Sequence, residues 1–158
     1  MIIQNNAIFI ADAHYNKNRT QLEDLLLKIK NGEIQTEQIF LMGDIFDFLA
    51  GEIEYFKYIN YKITSLINDL SITHEVLYLE GNHDFNLEKI LPSIEIISRE
   101  QQPFQVTIDN REISLAHGDI FTPILYNLYT SIIRNHNFMK FIKNKINFPL
   151  LKINTLVL

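Results

Sequence analysis

Three short apolar runs, Ala7-Ile8-Phe9-Ile10, Gln38-Ile39-Phe40-Leu41-Met42 and Val76-Leu77-Tyr78-Leu79, each break off into a polar or glycine-bearing cluster. Their length and their β-branched and aromatic content mark them as buried strands. Helical patterns separate them. Thr20-Gln21-Leu22-Glu23 has the form of a capping box opening a helix through Leu25, Leu26 and Ile29, with Asn31-Gly32 closing it. From Glu52 to Leu70, Tyr55, Ile59, Ile63 and Ile67 recur at helical spacing. Strands alternating with helices predict an α/β fold: a mostly parallel sheet with right-handed crossovers and helices on both faces. A short helix is expected over Leu87–Leu91, stopped by Pro92. Asp109-Asn110-Arg111 should join Phe104–Ile108 to Glu112–Ala116 as a hairpin or tight connection. After Thr122 the pattern is helical again, with Pro123 suited to a first turn. No linker precedes Pro149, so residues 1–158 read as one domain.

Composition narrows the chemistry. The 47% hydrophobic content suffices for a packed core and excludes a disordered chain. With no cysteine, disulfides and thiolate metal sites are excluded, and any metal must be held by His, Asp, Glu or Asn. The net charge of −5 is unevenly divided. Residues 120–158 contain Arg134, Lys140, Lys143, Lys145 and Lys152 and no acid, for +5, which leaves −10 on residues 1–119. An acidic body of that kind disfavours nucleic acid as a partner. The N-terminus has no basic region before Asp12, and no window of about 18 apolar residues occurs, so a cytoplasmic location is expected.

Four polar clusters follow the ends of predicted strands: Asp12-Ala13-His14, Gly43-Asp44-Ile45-Phe46-Asp47, Gly81-Asn82-His83-Asp84 and His117-Gly118-Asp119. Ligands in open α/β sheets gather at the carboxyl ends of strands, so these clusters should meet in space. Alone, an Asp-x-His or Gly-Asn-His-Asp is as readily a turn or a helix cap. Together they gather three of the five histidines. Oxygen and imidazole ligands suit Mn, Fe or Zn better than calcium. Two such ions about 3.5–4 Å apart clamp a phosphoryl group and acidify a water, and a bridging carboxylate is the natural way to hold them. Gly43, Gly81 and Gly118 are expected to allow close backbone approach beside the ligands. Asp119 is read as a cap of the following helix, and His74 and His136 as solvated or structural.

The order D-x-H, G-D-x-x-D, G-N-H-D, H-G-D resembles the calcineurin-like metallophosphoesterase family. The resemblance implies an αββα sandwich and two divalent metal ions, manganese in the first place. By motif, Asp12 and His14 would bind the first metal, Asp44 would bridge, and Asn82 and His117 would bind the second. His83 would face the substrate as the catalytic residue, with Asp47 and Asp84 orienting it and the loops from behind.

Within the family, H-G-D followed by an aromatic, basic segment is similar to the UDP-2,3-diacylglucosamine hydrolases of lipid A synthesis. That likeness implies a lipid-linked nucleotide substrate, a lid over residues 122–148, and peripheral contact with the inner membrane surface. Arg134 and Lys140 would lie near substrate or lipid phosphates. A solvated helix face, or an interface left bare by missing sequence, would explain the same basic stretch. Two departures stand out. The subgroup commonly has G-N-R-D where this chain has His83, and the family's closing G-H-x-H has no counterpart. Each metal would then keep three protein ligands, and the second sheet would be incomplete. The chain therefore reads as C-terminally truncated, or as one part of a site that a partner chain completes. The hydrophobic tail at Leu150-Leu151 and Leu156-Val157-Leu158 fits that reading.

Overall fold

The computed structural model describes residues 1–143. The expectations for residues 144–158, namely the far end of the basic segment and the hydrophobic tail, lie outside the described residues. The elements run β1 (Ile8–Ile10), α1 (Gln21–Lys30), β2 (Gln38–Leu41), β3 (Leu49–Ala50), α2 (Glu54–Leu70), β4 (Glu75–Leu79), β5 (Asp84–Phe85), β6 (Glu95–Ile97), β7 (Phe104–Ile108), β8 (Arg111–Leu115) and α3 (Ile124–Arg134). Single 3-10 turns lie at Arg99–Gln101 and Gly118–Phe121. A further helical stretch occupies residues 136–143.

The main sheet has the order β1-β2-β4-β6, and every neighbouring pair is parallel. Its strands are apolar on both sides because both faces are covered. Ile39, Leu41, Val76 and Tyr78 face α1 and α2, packing with Leu26, Ile29, Ile63, Ile67 and Leu70. Phe40, Leu77, Leu79 and Ile97 point the other way, into a cluster with Ile3, Val106 and Leu115. Each such Leu or Ile taken fully out of water contributes about 1.5–3 kcal/mol.

That second cluster corrects the expectation of helices on both faces. The face away from α1 and α2 is covered by the antiparallel β7–β8 hairpin and the N-terminal segment. Ile3 donates its N–H to Thr107 O at 2.9 Å, and Thr107 donates to Met1 O at 3.0 Å. Among the described residues the second sheet is this hairpin, with one bridge from Ile2 to Thr107. Asp109 and Asn110 both have positive φ, +49° and +62°. This is the two-residue turn whose twist suits a hairpin.

Three local expectations change. The capping box at Thr20 does not form: Thr20 makes no side-chain cap bond. Its partner Glu23 instead reaches Lys62 on α2 and accepts from Tyr15 Oη. The C-terminal end of α1 behaves as read, with Gly32 at φ +75° and its N–H on Ile29 O, while Glu33 N–H meets Lys28 O. In α2 the stripe drifts off the core. Ile63 and Ile67 are buried, but Tyr55 is 40% and Ile59 48% exposed. Residues four apart advance about 40° beyond a full turn, so four of them cannot share one narrow face. Leu87–Leu91 is one turn rather than a helix, closed by Ile90 and Leu91 N–H on Leu87 O.

Candidate metal centre

Backbone pairing of β1 with β2 continues past the strands. Asp12 donates to Gly43 O at 3.2 Å, His14 to Asp44 O at 3.0 Å and Tyr15 to Ile45 O at 2.8 Å. The D-x-H and G-D-x-x-D clusters are thereby zipped side by side. Asp12, His14 and Asp44 all take φ in the left-handed region, +50°, +45° and +52°. Non-glycine residues adopt it at a cost, and such strain collects where function holds the backbone in place.

Asp84 ties the third cluster to the second. Fully buried, it accepts backbone N–H bonds from Asp44 (3.0 Å), Gly81 (2.9 Å), Phe46 (3.2 Å) and Ile45, and the hydroxyl of Tyr78 at 2.6 Å. Burial pushes its carboxyl upward, and the bonds from Tyr78, Gly81 and Phe46 oppose that shift. Surrounded by donors, the group serves as an acceptor-only carboxylate. It also raises the Tyr78 phenol well above its ordinary value, after burial itself.

Two glycines are required by contact. A Cβ on Gly81 would stand 2.2 Å from Asp44 Oδ1, and one on Gly43, at φ +88°, 2.6 Å from His117 Nδ1. Gly118 differs from expectation: a Cβ there would meet nothing within 4 Å. The turn after His117 is open to solvent on that side.

The result is two groups of ligand atoms sharing one residue. Atoms of Asp12, Asp44 and His117 lie within 4.8 Å of one another, as do atoms of His14, Asp44 and His83. Asn82 Oδ1 approaches His117 Nε2 at 3.4 Å. Burial alone would raise the Asp44 carboxyl, but His117 and the His83 N–H, at 3.0 Å from Oδ1, hold it below the usual carboxylate value. Burial likewise opposes charge on His117, yet Asp44, 3.6 Å away, lifts it to about 9. An ionised carboxylate shared between imidazole-bearing groups is a donor set that fits two borderline divalent cations.

Around this centre, His83 directs Nδ1 to the carbonyl of Asp47 at 2.6 Å, so Asp47 engages it through its main chain while its carboxylate is exposed. Its ring meets that of His14 edge-on, centroids 5.0 Å apart. Arg134, read from sequence as a substrate or lipid contact, is corrected. It is buried, donating to Glu80 Oε2 at 2.7 Å and Gly81 O at 3.0 Å, with its guanidinium over Phe85. It fastens α3 to the end of β4. Lys140 is exposed and borders a cavity of about 460 Å³ with Glu52, Lys89 and His136. Asp119 does not cap α3: it is buried and pairs with Arg99 Nε at 2.9 Å. His136 is structural, paired with Glu52. The sequence reading missed Tyr78, Glu80 and Arg99. A buried Tyr beside a G-N-H-D loop is the one of these with a visible signal, since a phenol in an apolar strand needs an acceptor.

A parallel sheet that collects carboxylates and imidazoles at the carboxyl ends of its strands defines an α/β metal-site protein. The chain belongs to the calcineurin-like phosphoesterase family, whose pattern matches residues 6–153. It is similar to the UDP-2,3-diacylglucosamine hydrolase of Wigglesworthia glossinidia brevipalpis, 24% identical over 140 residues, covering 87% of this chain and 52% of that protein. The protein of the same name from Haemophilus influenzae (strain PittGG) is 27% identical over 125 residues, covering 72% and 48%. The chain thus spans about half the length of the curated relatives it matches. Among solved structures, Pseudomonas putida nuclease MPE shares 22% identity with a TM-score of 0.43, covering 63% of this chain and 49% of that one.

Proposed function

We propose that the chain is a dinuclear-metal phosphoesterase, and that its substrate is UDP-2,3-diacylglucosamine, cleaved to 2,3-diacylglucosamine 1-phosphate and UMP. The observation that carries the reading is Asp44, common to both groups of ligand atoms. Asp12, His14, Asn82 and His117 complete the set, and manganese fits these ligands, with iron or zinc as the other candidates. Bound divalent ions supply positive charge to the phosphoryl oxygens and acidify a water. His83, held at Nδ1 by Asp47 O, presents Nε2 to stabilise the phosphoryl oxygens or protonate the leaving oxygen. Asp84 holds the loops that carry Asp44 and His83.

Features beyond the centre support a lipid-linked substrate. On and around α3, Phe121 and Leu125 are each 77% exposed and Leu128 is 59% exposed. An exposed apolar helix face of this kind suits acyl chains at the headgroup region of a membrane. Among the described residues no helix is long and apolar enough to cross a membrane, so the contact proposed is peripheral.

Elemental analysis of the purified chain, followed by turnover on UDP-2,3-diacylglucosamine against simple phosphodiesters, tests the reading. The expected result is retained Mn, Fe or Zn, lost in Asp44→Ala, with the lipid-linked nucleotide preferred. Metal without that preference would replace the substrate with that of another phosphoesterase. Absence of metal would mean that the centre does not close within this chain.

A further inference from the structure

A second cavity opens beside the metal centre, next to the loops that carry His14 and Asp47. It holds about 410 Å³ and is lined by Tyr15, Lys17, Asp47, Phe48, Tyr55 and Asn60 among others. Its wall touches the centre twice: Tyr15 follows His14 directly, and Asp47 supplies the carbonyl that engages His83. We propose that this cavity receives the nucleobase of the substrate, a deepening that rests on the nucleotide phosphoesterase reading above.

The wall is aromatic. Phe48 and Phe56 rings lie 4.7 Å apart and tilted, and Tyr55 meets Phe56 at 5.3 Å. Tyr55 and Ile59 are the members of the α2 stripe that the core does not bury, and both border this cavity. Leaving a ring and an aliphatic chain exposed next to a catalytic centre is useful if a flat ligand covers them. The polar groups select among flat ligands. Asn60 spends both amide hydrogens on Phe48 O (3.0 Å) and Phe56 O (2.9 Å), so its side chain can offer a ligand only an acceptor oxygen. Lys17 contributes a cation. An acyl chain would strip water from these groups and return nothing. A base offers a π-face to the rings and hydrogen-bonding edges to the polar residues, and aromatic stacking tolerates such a partner well. With phosphate at the centre, a base in this cavity would lie on the nucleotide side of the scissile bond, in a cavity that no residue of α3 lines.

The test is calorimetric titration of the manganese-loaded full chain with UMP and with ribose 5-phosphate, which keeps the phosphate and lacks the base. UMP is expected to bind at least about tenfold tighter. Tyr55→Ala and, separately, Ile59→Ala should shrink that difference while leaving ribose 5-phosphate affinity in place; both positions are too exposed for either change to unfold the chain. Equal affinities for the two ligands would overturn the base pocket and leave the metal-phosphate reading standing. A preference for UMP that survives in both variants would also overturn it, by placing the base elsewhere. Failure of either ligand to bind at all would remove the phosphoesterase reading along with it.

Discussion

The carboxylate of Asp84 accepts the backbone N–H of Asp44 at 3.0 Å, joining two loops 40 residues apart in sequence. With the N–H of Gly81 on the same oxygen at 2.9 Å, this one buried acid sets where the shared ligand Asp44 stands. Asp84→Asn would turn an amide NH2 toward backbone donors and leave them unpaired. A loss of about 3 kcal/mol is expected, read from urea unfolding, together with weaker metal retention. An Asn variant as stable as the parent would contradict this account of the loop.

The glycines provide a contrast within one site. Gly81→Ala places a methyl 2.2 Å from Asp44 Oδ1, so manganese affinity should fall by about 10–100-fold, as for disturbed groups behind a metal ligand. Gly118→Ala, with open space around its Cβ, should change stability by no more than about 0.5 kcal/mol and metal affinity hardly at all. Titration calorimetry on the two variants makes the comparison, and similar losses in both would refute the contact argument.

Glu80 and Arg134 should make stability depend on pH. Burial raises Glu80 to about 7 despite the lowering by Arg134, from an ordinary 4.5. A folded value above the unfolded one means stabilisation that is full below about 4.5 and is lost as pH rises through about 7. Arg134→Met removes the counter-ion and leaves a buried carboxylate. It should cost about 3 kcal/mol near pH 8 and distinctly less near pH 5.5, where the folded carboxyl keeps its proton. Unfolding midpoints at the two pH values decide the point.

Metal uptake should be coupled to proton release. His117 holds its proton up to about 9 while Asp44 faces it, and an imidazole must be deprotonated to ligate. Affinity should therefore strengthen as pH rises toward that value. Calorimetry in buffers of different ionisation enthalpy should detect the released proton below it.

His83→Ala separates ligation from catalysis. The expected variant retains metal and loses turnover by about 100-fold or more, the range for a positioned proton donor. Parental turnover would dismiss His83 as the catalytic residue. Loss of metal would assign it to the ligand group that it forms with His14 and Asp44.

Much of this protein follows from local sequence. The three buried strands, both long helices, the Asp109-Asn110 turn and the four clusters at strand ends need only short-range pattern and turn chemistry, and each forms near its expected place. Convergence of Asp12, His14, Asp44 and His83 was also legible, because parallel strands put their carboxyl ends on one edge, whereas His117 arrives from the antiparallel hairpin packed on that sheet. Tertiary structure decided the rest. That a hairpin rather than helices covers the second face depends on which apolar surfaces meet, which no local window records. Glu23 chose Lys62 over its helix cap because a partner stood across the gap. Arg134 turned inward because the buried Glu80 carboxylate and the Gly81 carbonyl needed a donor. Charge and periodicity describe what a side chain can do; only the packed chain determines which unsatisfied group reaches it first.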